Sequence, residues 1–391
     1  MSITVVGASL AGLSTVRALR AEGYDGGIAV VGEERHLPYD RPPLSKDFLK
    51  GTLDADALAL GDPAEYDDLD VRWLLGERAV RLDPADRSVT LASGRRLHTD
   101  GVVVATGASP RALPGSDGLA GVHTLRTLDD ARALRDELAL GGRLVVIGAG
   151  FIGAEVASTA RGLGLDVTVV EALDVPLERQ LGRTMGRVCS SLHTDHGVRL
   201  LTGTGVAGLT GDGRVTGVRL TDGRELPADI VVVGVGVRPA TDWLAGSGVQ
   251  ADDGVVCDAG CATSVPGVVA VGDVARCPHP FTGRYARIEH WSNATEQATA
   301  AARTLLTGVS ASVPRPAPYF WSDQYQVRIQ LAGHVAPGAV PEVVDGDVDS
   351  RCFTAVYRRE NTPVAVLSLN QTKLFNRLRR TLVPAAAPAA V

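Results

Sequence analysis

The chain has 391 residues, of which 45% are hydrophobic and 21% charged, and its formal net charge is −6 at pH 7. This length supports two or three domains with separate cores, and the chain has no apolar run of the roughly 18 residues that a membrane span needs. The acidic balance argues against nucleic acid as the main partner, because phosphate backbones bind basic surfaces.

The N-terminus enters a predicted strand at once and carries neither a basic stretch nor a cleavage site, so we expect a cytoplasmic protein. The cysteines are odd in number and match no zinc-binding spacing: Cys189, Cys257, Cys261, Cys277 and Cys352. We therefore expect reduced thiols and no metal site.

The first elements in the chain are a strand, a tight turn and a helix. An apolar run over 3–6 leads into GASLAG at 7–12, and a predicted helix continues to about Arg20. This is nearly the dinucleotide fingerprint G-x-G-x-x-G, with Ser9 in place of the middle glycine. A second strand over 28–31 ends close to Glu33, an acid placed to accept hydrogen bonds from ribose hydroxyls.

The same arrangement returns about 140 residues later. A strand over 143–147 leads to GAGFIG at 148–153, then to a helix and to a strand over 166–170 that ends at Glu171. The first glycine permits a sharp turn, the middle position faces the pyrophosphate, and the last lets the helix pack on the strand. Backbone N–H groups at the helix start then face the phosphates. Two copies this far apart predict two dinucleotide-binding domains.

Two further stretches point to a flavin. Residues 100–114 contain a buried-type strand that ends in ATG at 105–107, and residues 263–275 contain a short strand followed by Gly272 and Asp273. Both resemble the flavoprotein pyridine-nucleotide–disulfide reductase superfamily. The resemblance implies that the first fingerprint, with Glu33, binds FAD and that Asp273 hydrogen-bonds its ribityl chain. It also implies that the second fingerprint, with Glu171, binds the nicotinamide cofactor.

The acid after the second fingerprint predicts which nicotinamide cofactor is used. A carboxylate at Glu171 accepts from a free 2′-hydroxyl and repels a 2′-phosphate. The next residues, Ala-Leu-Asp at 172–174, offer no arginine to receive that phosphate. We therefore expect NADH to be preferred over NADPH.

The stretch PYDRPPLSKDFL at 38–49 is the most informative about the branch of the superfamily. Pro42 and Pro43 stiffen the backbone, and Lys46 lies near the first turn of a predicted helix. Disulfide reductases carry a redox cysteine in or near this region, whereas no cysteine precedes Cys189 here. We exclude a flavin-to-disulfide relay and expect the cysteines at 257 and 261 to be ordinary small residues.

The residues RPPLSK at 41–46 closely resemble the ferredoxin reductases of bacterial oxygenase systems. The resemblance runs from residue 2 to about 375, with matching segments at 125–130, 287–289, 293–298 and 320–325. It implies a cytoplasmic FAD-dependent NADH:ferredoxin oxidoreductase that serves an iron–sulfur ferredoxin and, through it, a terminal oxygenase. The chain has too few suitably spaced cysteines for a cluster of its own, so the acceptor is expected to be a separate protein. An NADH oxidase and a non-enzymatic protein of the apoptosis-inducing-factor type stay open as alternatives.

The resemblance also assigns roles to single residues. Lys46 is expected beside the flavin, where it stabilises negative charge on the reduced ring, and Glu155 reaches the nicotinamide or Lys46. Trp321 is expected to cover the flavin face where the nicotinamide docks, which makes these three the predicted catalytic residues. The predicted cofactor-binding residues are Gly7, Ser9, Ala11, Gly12, Glu33, Arg41, Lys46, Ala79, Thr106, Gly107, Arg126, Gly272, Asp273, Trp291, Gly148, Gly150, Ile152, Gly153, Glu171, Val235 and Gly236.

The predicted architecture is α/β and glutathione-reductase-like, with two Rossmann-like dinucleotide-binding domains and a C-terminal α+β domain. We expect the FAD-binding domain at 1–112 and 244–315, the NADH-binding domain at 113–243 and the C-terminal domain at 316–391. Strands are expected at 352–357 and 364–370, followed by a basic helix at 371–380 and a disordered tail. Asn293 and Glu296 fit a capping box, which predicts a helix that begins there and aims its positive end at the flavin.

An acidic ferredoxin docking on an acidic chain requires a local basic patch, because exposed charges beyond about 10 Å are largely screened. The candidate residues are arginines in the last third of the chain: Arg303, Arg358, Arg359, Arg377, Arg379 and Arg380.

Overall fold

The computed structural model describes residues 1–116, 118–311, 315–336 and 338–384. The strands are β1 Ser2–Val6, β2 Gly27–Gly32, β3 Val71–Leu75, β4 Ala79–Asp83, β5 Ser88–Leu91, β6 Arg96–His98, β7 Gly101–Val104, β8 Ala108–Pro110, β9 Val122–His123, β10 Arg143–Ile147, β11 Asp166–Val170, β12 Arg199–Leu201, β13 Val206–Asp212, β14 Arg214–Leu220, β15 Glu225–Pro227, β16 Ile230–Val233, β17 Val237–Pro239, β18 Val255–Val256, β19 Val268–Ala270, β20 Ala275–His279, β21 Arg284–Arg287, β22 Tyr319–Gln324, β23 Val327–Gly333, β24 Pro341–Asp347, β25 Cys352–Arg359 and β26 Thr362–Leu369. The α-helices are α1 Leu10–Ala21, α2 Asp47–Lys50, α3 Pro63–Asp68, α4 Leu128–Leu138, α5 Phe151–Gly162, α6 Glu178–Asp195, α7 Trp291–Thr307 and α8 Thr372–Leu378. Over the part of the chain that is described, no helix is both long and apolar enough to cross a membrane.

The first fingerprint follows β1 at the carboxyl edge of a parallel sheet with the strand order β19-β7-β1-β2-β3. The predicted strand–turn–helix–strand unit is present, since α1 connects β1 to β2 and these strands pair in parallel. β19 joins this sheet beside β7 although it lies far along the chain. The chain therefore returns to its first sheet after completing other elements, which brings the segment around Gly272 to the edge where Gly7 lies.

The second fingerprint follows β10 in a separate parallel sheet with the order β12-β11-β10-β16-β9. α5 connects β10 to β11 as predicted, and the two strands pair in parallel. β16 is buried along its whole length and consists only of Ile and Val, which is typical of a parallel sheet covered on both faces.

The C-terminal sheet is antiparallel, with the order β22-β23-β26-β25-β24. The strands predicted at 352–357 and 364–370 are confirmed as β25 and β26, whereas the predicted helix at 371–380 ends as α8 at Leu378 and continues as a 3₁₀ turn. The tail after Arg380, predicted to be disordered, is ordered at its start, because Thr381 belongs to that 3₁₀ turn and Leu382 packs into a hydrophobic cluster with Phe375. From residue 385 on, the tail lies outside the described residues. Two parallel sheets and an antiparallel C-terminal sheet confirm the predicted fold class, while the domain boundaries stay predictions.

The second parallel sheet and the C-terminal sheet share one hydrophobic core. Val146 on β10 and Val156 on α5 belong to the same buried cluster as Tyr357 and Leu367 of the C-terminal sheet. The Tyr357 hydroxyl donates to the carbonyl of Leu181 on α6 at 2.6 Å. This packing holds the edge strand β22 against α5, next to the second fingerprint.

Helix α7 begins earlier than predicted. Its first residue is Trp291, and His290 occupies the N-cap position without a side-chain cap. Asn293 lies inside the helix, where its amide donates to the carbonyl of Ile288 at 2.9 Å. The capping-box prediction for Asn293 and Glu296 is therefore wrong, because the buried Asn side chain satisfies a carbonyl of the preceding loop instead of the helix start.

Candidate functional site

The first fingerprint turn needs glycine at two positions. Gly7 has a φ of 122°, and a Cβ added there would lie 2.1 Å from the carbonyl oxygen of Ala105. A Cβ on Gly12 would lie 1.9 Å from the carbonyl oxygen of Gly7. The turn therefore packs directly on the ATG segment after β7, and α1 packs directly on the turn.

Ser9, which departs from the fingerprint, contacts an arginine. The Arg41 Nε donates to the Ser9 hydroxyl at 3.3 Å, and its Nη2 pairs with the Glu34 carboxylate at 2.6 Å. Arg41 also donates to the backbone carbonyl of Arg126. A fixed guanidinium beside the first turn of α1 fits the pyrophosphate of a dinucleotide, since both arginine and helix N-termini bind phosphate.

Four segments that are distant in sequence meet at this edge. Arg126 pairs with Asp273 at 2.9 Å, and a Cβ on Gly107 would lie 3.2 Å from Arg126 Nη2. A Cβ on Gly272 would lie 2.8 Å from the Cβ of Ala11, so the Gly-Asp turn is close to the fingerprint helix. Nearby, the Thr106 hydroxyl donates to the carbonyl of Ala240 at 2.8 Å.

Two predicted residues stand apart from this cluster. The Gly7 N–H donates to the carbonyl of Val31 on β2, and the Gly148 N–H donates to the carbonyl of Val170 on β11 in the same way. The residue that follows Val31 is Gly32, so Gly32, and not Glu33, is the counterpart of Glu171. Glu33 is exposed, and within the described residues its side chain has no hydrogen-bond partner. Ala79 begins β4 in a separate three-stranded sheet. Their cofactor roles stay predictions.

The second fingerprint leaves its middle position open. A Cβ on Gly153 would lie 2.1 Å from the carbonyl oxygen of Gly148, whereas a Cβ on Gly150 would meet nothing within 4 Å. The Glu171 carboxylate accepts from the backbone N–H of Ala149 at 2.8 Å. Open space at the middle glycine, next to a carboxylate, is what a pyrophosphate and a ribose require.

Apolar side chains are exposed at the mouth of this turn. Ile152 in the first turn of α5 is 48% exposed, and Val235 in the loop after β16 is 41% exposed. Gly236, with a φ of 98°, follows Val235 and accepts from the backbone N–H of Arg111 at 2.9 Å. Exposed apolar side chains around a polar turn are typical of a ligand-binding cleft.

A buried ion pair joins the units that carry the two fingerprints. Glu155 on α5 is 2% exposed, and its carboxylate lies 2.6 Å from the Lys46 ammonium. The Ser45 hydroxyl donates to the same Glu155 oxygen. The other oxygen accepts from the Ser322 hydroxyl on β22 at 2.7 Å. Glu155 therefore reaches Lys46, and it also ties in the C-terminal sheet.

An aromatic row lies beside this ion pair. The rings of Phe151 and Phe320 have centroids 4.4 Å apart, and His290 lies 5.3 Å from Phe320. The Nδ1 of His290 is buried without a hydrogen-bond partner among the described residues, and burial lowers the pKa of this imidazole to about 4. An orphaned polar atom at the start of α7 fits a polar ligand edge, because buried polar groups are normally paired.

The two tryptophans take different positions around this row. The indole N–H of Trp291 donates to Asp40 at 2.9 Å, and burial raises the pKa of that carboxyl. Trp321 lies on the face of β22 opposite to Phe320 and stacks on Tyr319 at 5.8 Å. The predicted role of Trp321 in covering the flavin stays a prediction.

Sequence reasoning missed Ser45, Ser322, Glu34 and Phe320. Each lies within a few residues of a predicted one, so the signal was a polar or aromatic neighbour inside a recognised stretch. Within the described ranges, no group of three or more His, Cys, Asp or Glu side chains is placed to hold a metal ion.

Glycine turns of the dinucleotide-fingerprint type on two separate parallel sheets, with a buried lysine–glutamate pair between them, fit a protein that binds two dinucleotides. The chain belongs to the pyridine nucleotide-disulphide oxidoreductase family, which it matches over residues 1–298. A second family, described as reductase C-terminal, matches residues 319–391.

Individual relatives match along nearly the whole chain. The chain is 40% identical to rhodocoxin reductase of Rhodococcus erythropolis, over 98% of this chain and 89% of that protein. It is 42% identical to the benzene 1,2-dioxygenase system ferredoxin–NAD(+) reductase subunit of Pseudomonas putida, over 96% of this chain and 92% of that protein. The solved covalent complex of putidaredoxin reductase with putidaredoxin contains a similar chain, with a TM-score of 0.91, 35% identity, and coverage of 97% of this chain and 92% of that one. The predicted resemblance is thus confirmed.

Proposed function

We propose that the protein is a cytoplasmic FAD-dependent NADH:ferredoxin oxidoreductase. It takes a hydride from NADH and passes single electrons to a separate iron–sulfur ferredoxin, which feeds an oxygenase. The observation that carries this proposal is the full-length match to reductases of oxygenase systems, one of them solved in complex with putidaredoxin.

The residues of this chain bind and orient, and the cofactors supply the chemistry. When bound, FAD accepts a hydride from NADH and releases electrons one at a time. Arg41 and Arg126 would hold the phosphates of FAD, and the turn at Gly150 would hold those of NADH. Lys46 places a positive charge in the cleft, and Glu155 fixes the position of that ammonium. The positive end of α7 and the N–H groups of its first turn favour negative charge nearby.

The test is a steady-state assay with the purified protein, NADH, an oxygenase-type ferredoxin and cytochrome c. We expect a yellow protein with one FAD per chain whose cytochrome c reduction requires the ferredoxin. Fast NADH consumption with dioxygen alone would favour an NADH oxidase. Slow reduction of every acceptor would favour a binding protein of the apoptosis-inducing-factor type.

Glu171 is expected to set the preference for NADH. Replacing it with Ala removes the charge that repels a 2′-phosphate, so the ratio of kcat/KM for NADH to that for NADPH should fall by about tenfold, or about 1.4 kcal/mol. The variant E171Q is the control for the contact to Ala149, because it keeps the size of the side chain without the charge. Equal use of both cofactors by the unaltered protein would contradict this assignment.

Among the described residues, two of the predicted docking arginines form ion pairs and the others do not. Arg303 pairs with Glu22 at 2.8 Å, and Arg358 pairs with Glu342 at 3.2 Å. Neither arginine therefore presents a full charge to a partner. Arg379 is exposed and lies over the ring of Tyr319 at 5.1 Å, beside Trp321.

Reversing the charge of Arg379 and Arg380 is expected to raise the KM for ferredoxin and leave that for NADH unchanged. Attraction between exposed charges weakens with salt, so ferredoxin reduction should also slow as ionic strength rises. Steady-state rates from low to high salt measure both effects, and NADH-dependent ferricyanide reduction is the reference.

A matched control is the double variant R199E/R219E. These exposed arginines lie on β12 and β14, they form no ion pair among the described residues, and their strands belong to sheets separate from the C-terminal sheet. The change in net charge is the same. If both double variants raise the KM for ferredoxin equally, total charge matters and docking at Arg379 is wrong.

A further inference from the structure

A short turn and a β-hairpin lie next to the Gly-Asp turn, Gly272–Val274. The short turn covers residues 252–254, directly before β18, and β18 pairs in parallel with β20. β20 follows the Gly-Asp turn and pairs antiparallel with β21. Arg276 on β20 and Arg287 on β21 are opposite each other in the register, so their side chains extend from the same face of the hairpin. The two arginines nevertheless have different contacts.

Arg287 contacts the Gly-Asp turn. Its Nη1 donates to the backbone carbonyl of Asp273 at 3.0 Å. The same guanidinium pairs with the Glu289 carboxylate, and its Nη2 lies 3.4 Å from the Asp253 carboxylate. The Arg287 side chain is only 11% exposed, so water has little access to these contacts. A Cβ on Gly254 would lie 2.5 Å from the Arg287 Cδ, which means that the short turn packs directly on the stem of this side chain.

Arg276 binds the short turn instead. Its Nη1 donates to the carbonyl of Asp252 at 3.0 Å and pairs with the carboxylate of the same residue. Among the described residues, its side chain makes no hydrogen bond to the Gly-Asp turn. The hairpin therefore carries two arginines on one face, of which Arg287 reaches Asp273 and Arg276 does not.

Asp273 is held at two points by arginines from distant segments. Its carboxylate pairs with Arg126 at 2.9 Å, and its carbonyl accepts from Arg287. The carboxylate is the group predicted to bind the ribityl chain of FAD. A hydrogen bond from a charged donor is stronger than one between neutral groups, and this one restricts the peptide plane that follows the Asp273 Cα. A fixed peptide plane in turn restricts the direction in which the carboxylate leaves the backbone.

We propose that Arg287 is a positioning residue of the FAD site. By holding the carbonyl of Asp273, it keeps the carboxylate of that residue directed at the ribityl chain, while Asp253 and Glu289 keep the guanidinium in place. The inference rests on the proposed function, because it takes Asp273 as a ligand of FAD. Arg287 acts through Asp273 and need not touch the cofactor, so its replacement should shorten the time for which FAD stays bound.

The experiment measures the rate at which FAD leaves the yellow holoprotein after dilution, followed by the rise in flavin fluorescence. R287M keeps an unbranched apolar stem but has no donor for the Asp273 carbonyl. We expect it to release FAD about tenfold faster, since hydrogen bonds from charged groups are among the stronger ones in proteins and part of that stabilisation reaches FAD. R287K keeps the charge and one donor group, so it should restore release to within about threefold of the parent rate. R276M is the matched control and should release FAD at the parent rate.

A double-mutant cycle with Asp273 separates positioning from a general loss of stability. D273N alone should speed FAD release, because the amide lacks the charge that strengthens hydrogen bonds from the ribityl hydroxyls. If Arg287 acts through the Asp273 carboxylate, R287M should add little to the release rate in the D273N background, whereas independent contributions multiply. Urea unfolding of each variant, followed by far-UV circular dichroism, measures the loss of stability separately. If R287M does not fold, the same cycle is run with R287K, whose smaller effect should likewise disappear in D273N.

Equal rates of FAD release from R287M and R276M would overturn the proposal, as would an undiminished effect of R287M in the D273N background. A D273N protein that holds FAD as long as the parent would also overturn it, because Asp273 would then not be the ligand through which Arg287 acts. None of these rates involves ferredoxin. A parent protein that holds FAD but does not reduce ferredoxin with NADH would contradict the proposed function and leave this inference intact.

Discussion

Replacing Glu155 with alanine is expected to destabilise the holoprotein by about 3–5 kcal/mol, because it leaves Lys46 as an unpaired cation in a buried site. The Lys46 side chain is only 13% exposed, so water cannot fully replace the lost carboxylate. The hydroxyls of Ser45 and Ser322 also lose their acceptor. Urea unfolding, followed by flavin fluorescence and far-UV circular dichroism, measures the loss.

The variant E155Q separates charge from packing. It keeps the volume and an oxygen acceptor, so its loss of stability should be smaller than that of E155A. Lys46 is no longer held by a carboxylate, and NADH-dependent flavin reduction measured by stopped flow should slow by about tenfold or more, because small misplacements of a positioned group are costly. Unchanged rates in E155Q would show that Glu155 has only a structural role.

A surface ion pair gives the matched control. Arg17 and Glu65 lie 2.6 Å apart with side chains about one-third exposed. Exposed pairs contribute about 0–1 kcal/mol, so E65A should cost far less than E155A. Equal losses of stability in E65A and E155A would mean that burial does not increase the contribution of the Lys46–Glu155 pair to the free energy of unfolding.

Local patterns in the sequence predicted the parts of the molecule that are built locally. The unit from β1 through α1 to β2 and its second copy are each about 30 residues of alternating apolar strand, glycine turn and apolar helix. The steric demands at Gly7 and Gly153 are met within the same unit, so the glycine spacing was sufficient to predict them.

Local patterns in the sequence could not predict the contacts between segments that are far apart in the chain. The partners of Glu155 come from residues 45, 46 and 322, and no spacing rule connects these positions. Asn293 matched a local capping pattern, but its side chain is buried against the loop at Ile288 and donates to the carbonyl of that residue instead. The cysteines at 257 and 277 become neighbours only through the register of β18 and β20.

The two glycines of the second fingerprint are expected to respond to alanine in opposite ways. G153A should destabilise the protein by about 3 kcal/mol, because the added Cβ would lie 2.1 Å from the carbonyl oxygen of Gly148 and the backbone must move. G150A should cost about 1 kcal/mol or less, since Gly150 has a φ of −71° and loses only the preference of glycine at a helix N-cap.

For NADH binding we expect the opposite of the stability result, because G150A, the milder change for stability, should weaken binding strongly. Among the described residues, no atom lies within 4 Å of the position that a Cβ on Gly150 would take. A methyl group there would therefore contact only a ligand bound in the cleft. If the pyrophosphate of NADH lies against this backbone, G150A should raise the Kd for NADH by at least about tenfold while FAD stays bound. Isothermal titration of the oxidised holoprotein with NAD⁺, together with pre-steady-state NADH titration, measures the change.

The first fingerprint supplies the internal control, because Ser9 already carries a side chain at the equivalent position and tolerates it through Arg41. S9G should therefore change FAD retention and leave NADH affinity unaltered, the converse of G150A. If G150A binds NADH as tightly as the parent, the pyrophosphate does not lie on this turn, and the assignment of the second fingerprint to NADH is wrong. If G150A instead loses FAD and S9G loses NADH, the two fingerprints are assigned to the wrong cofactors.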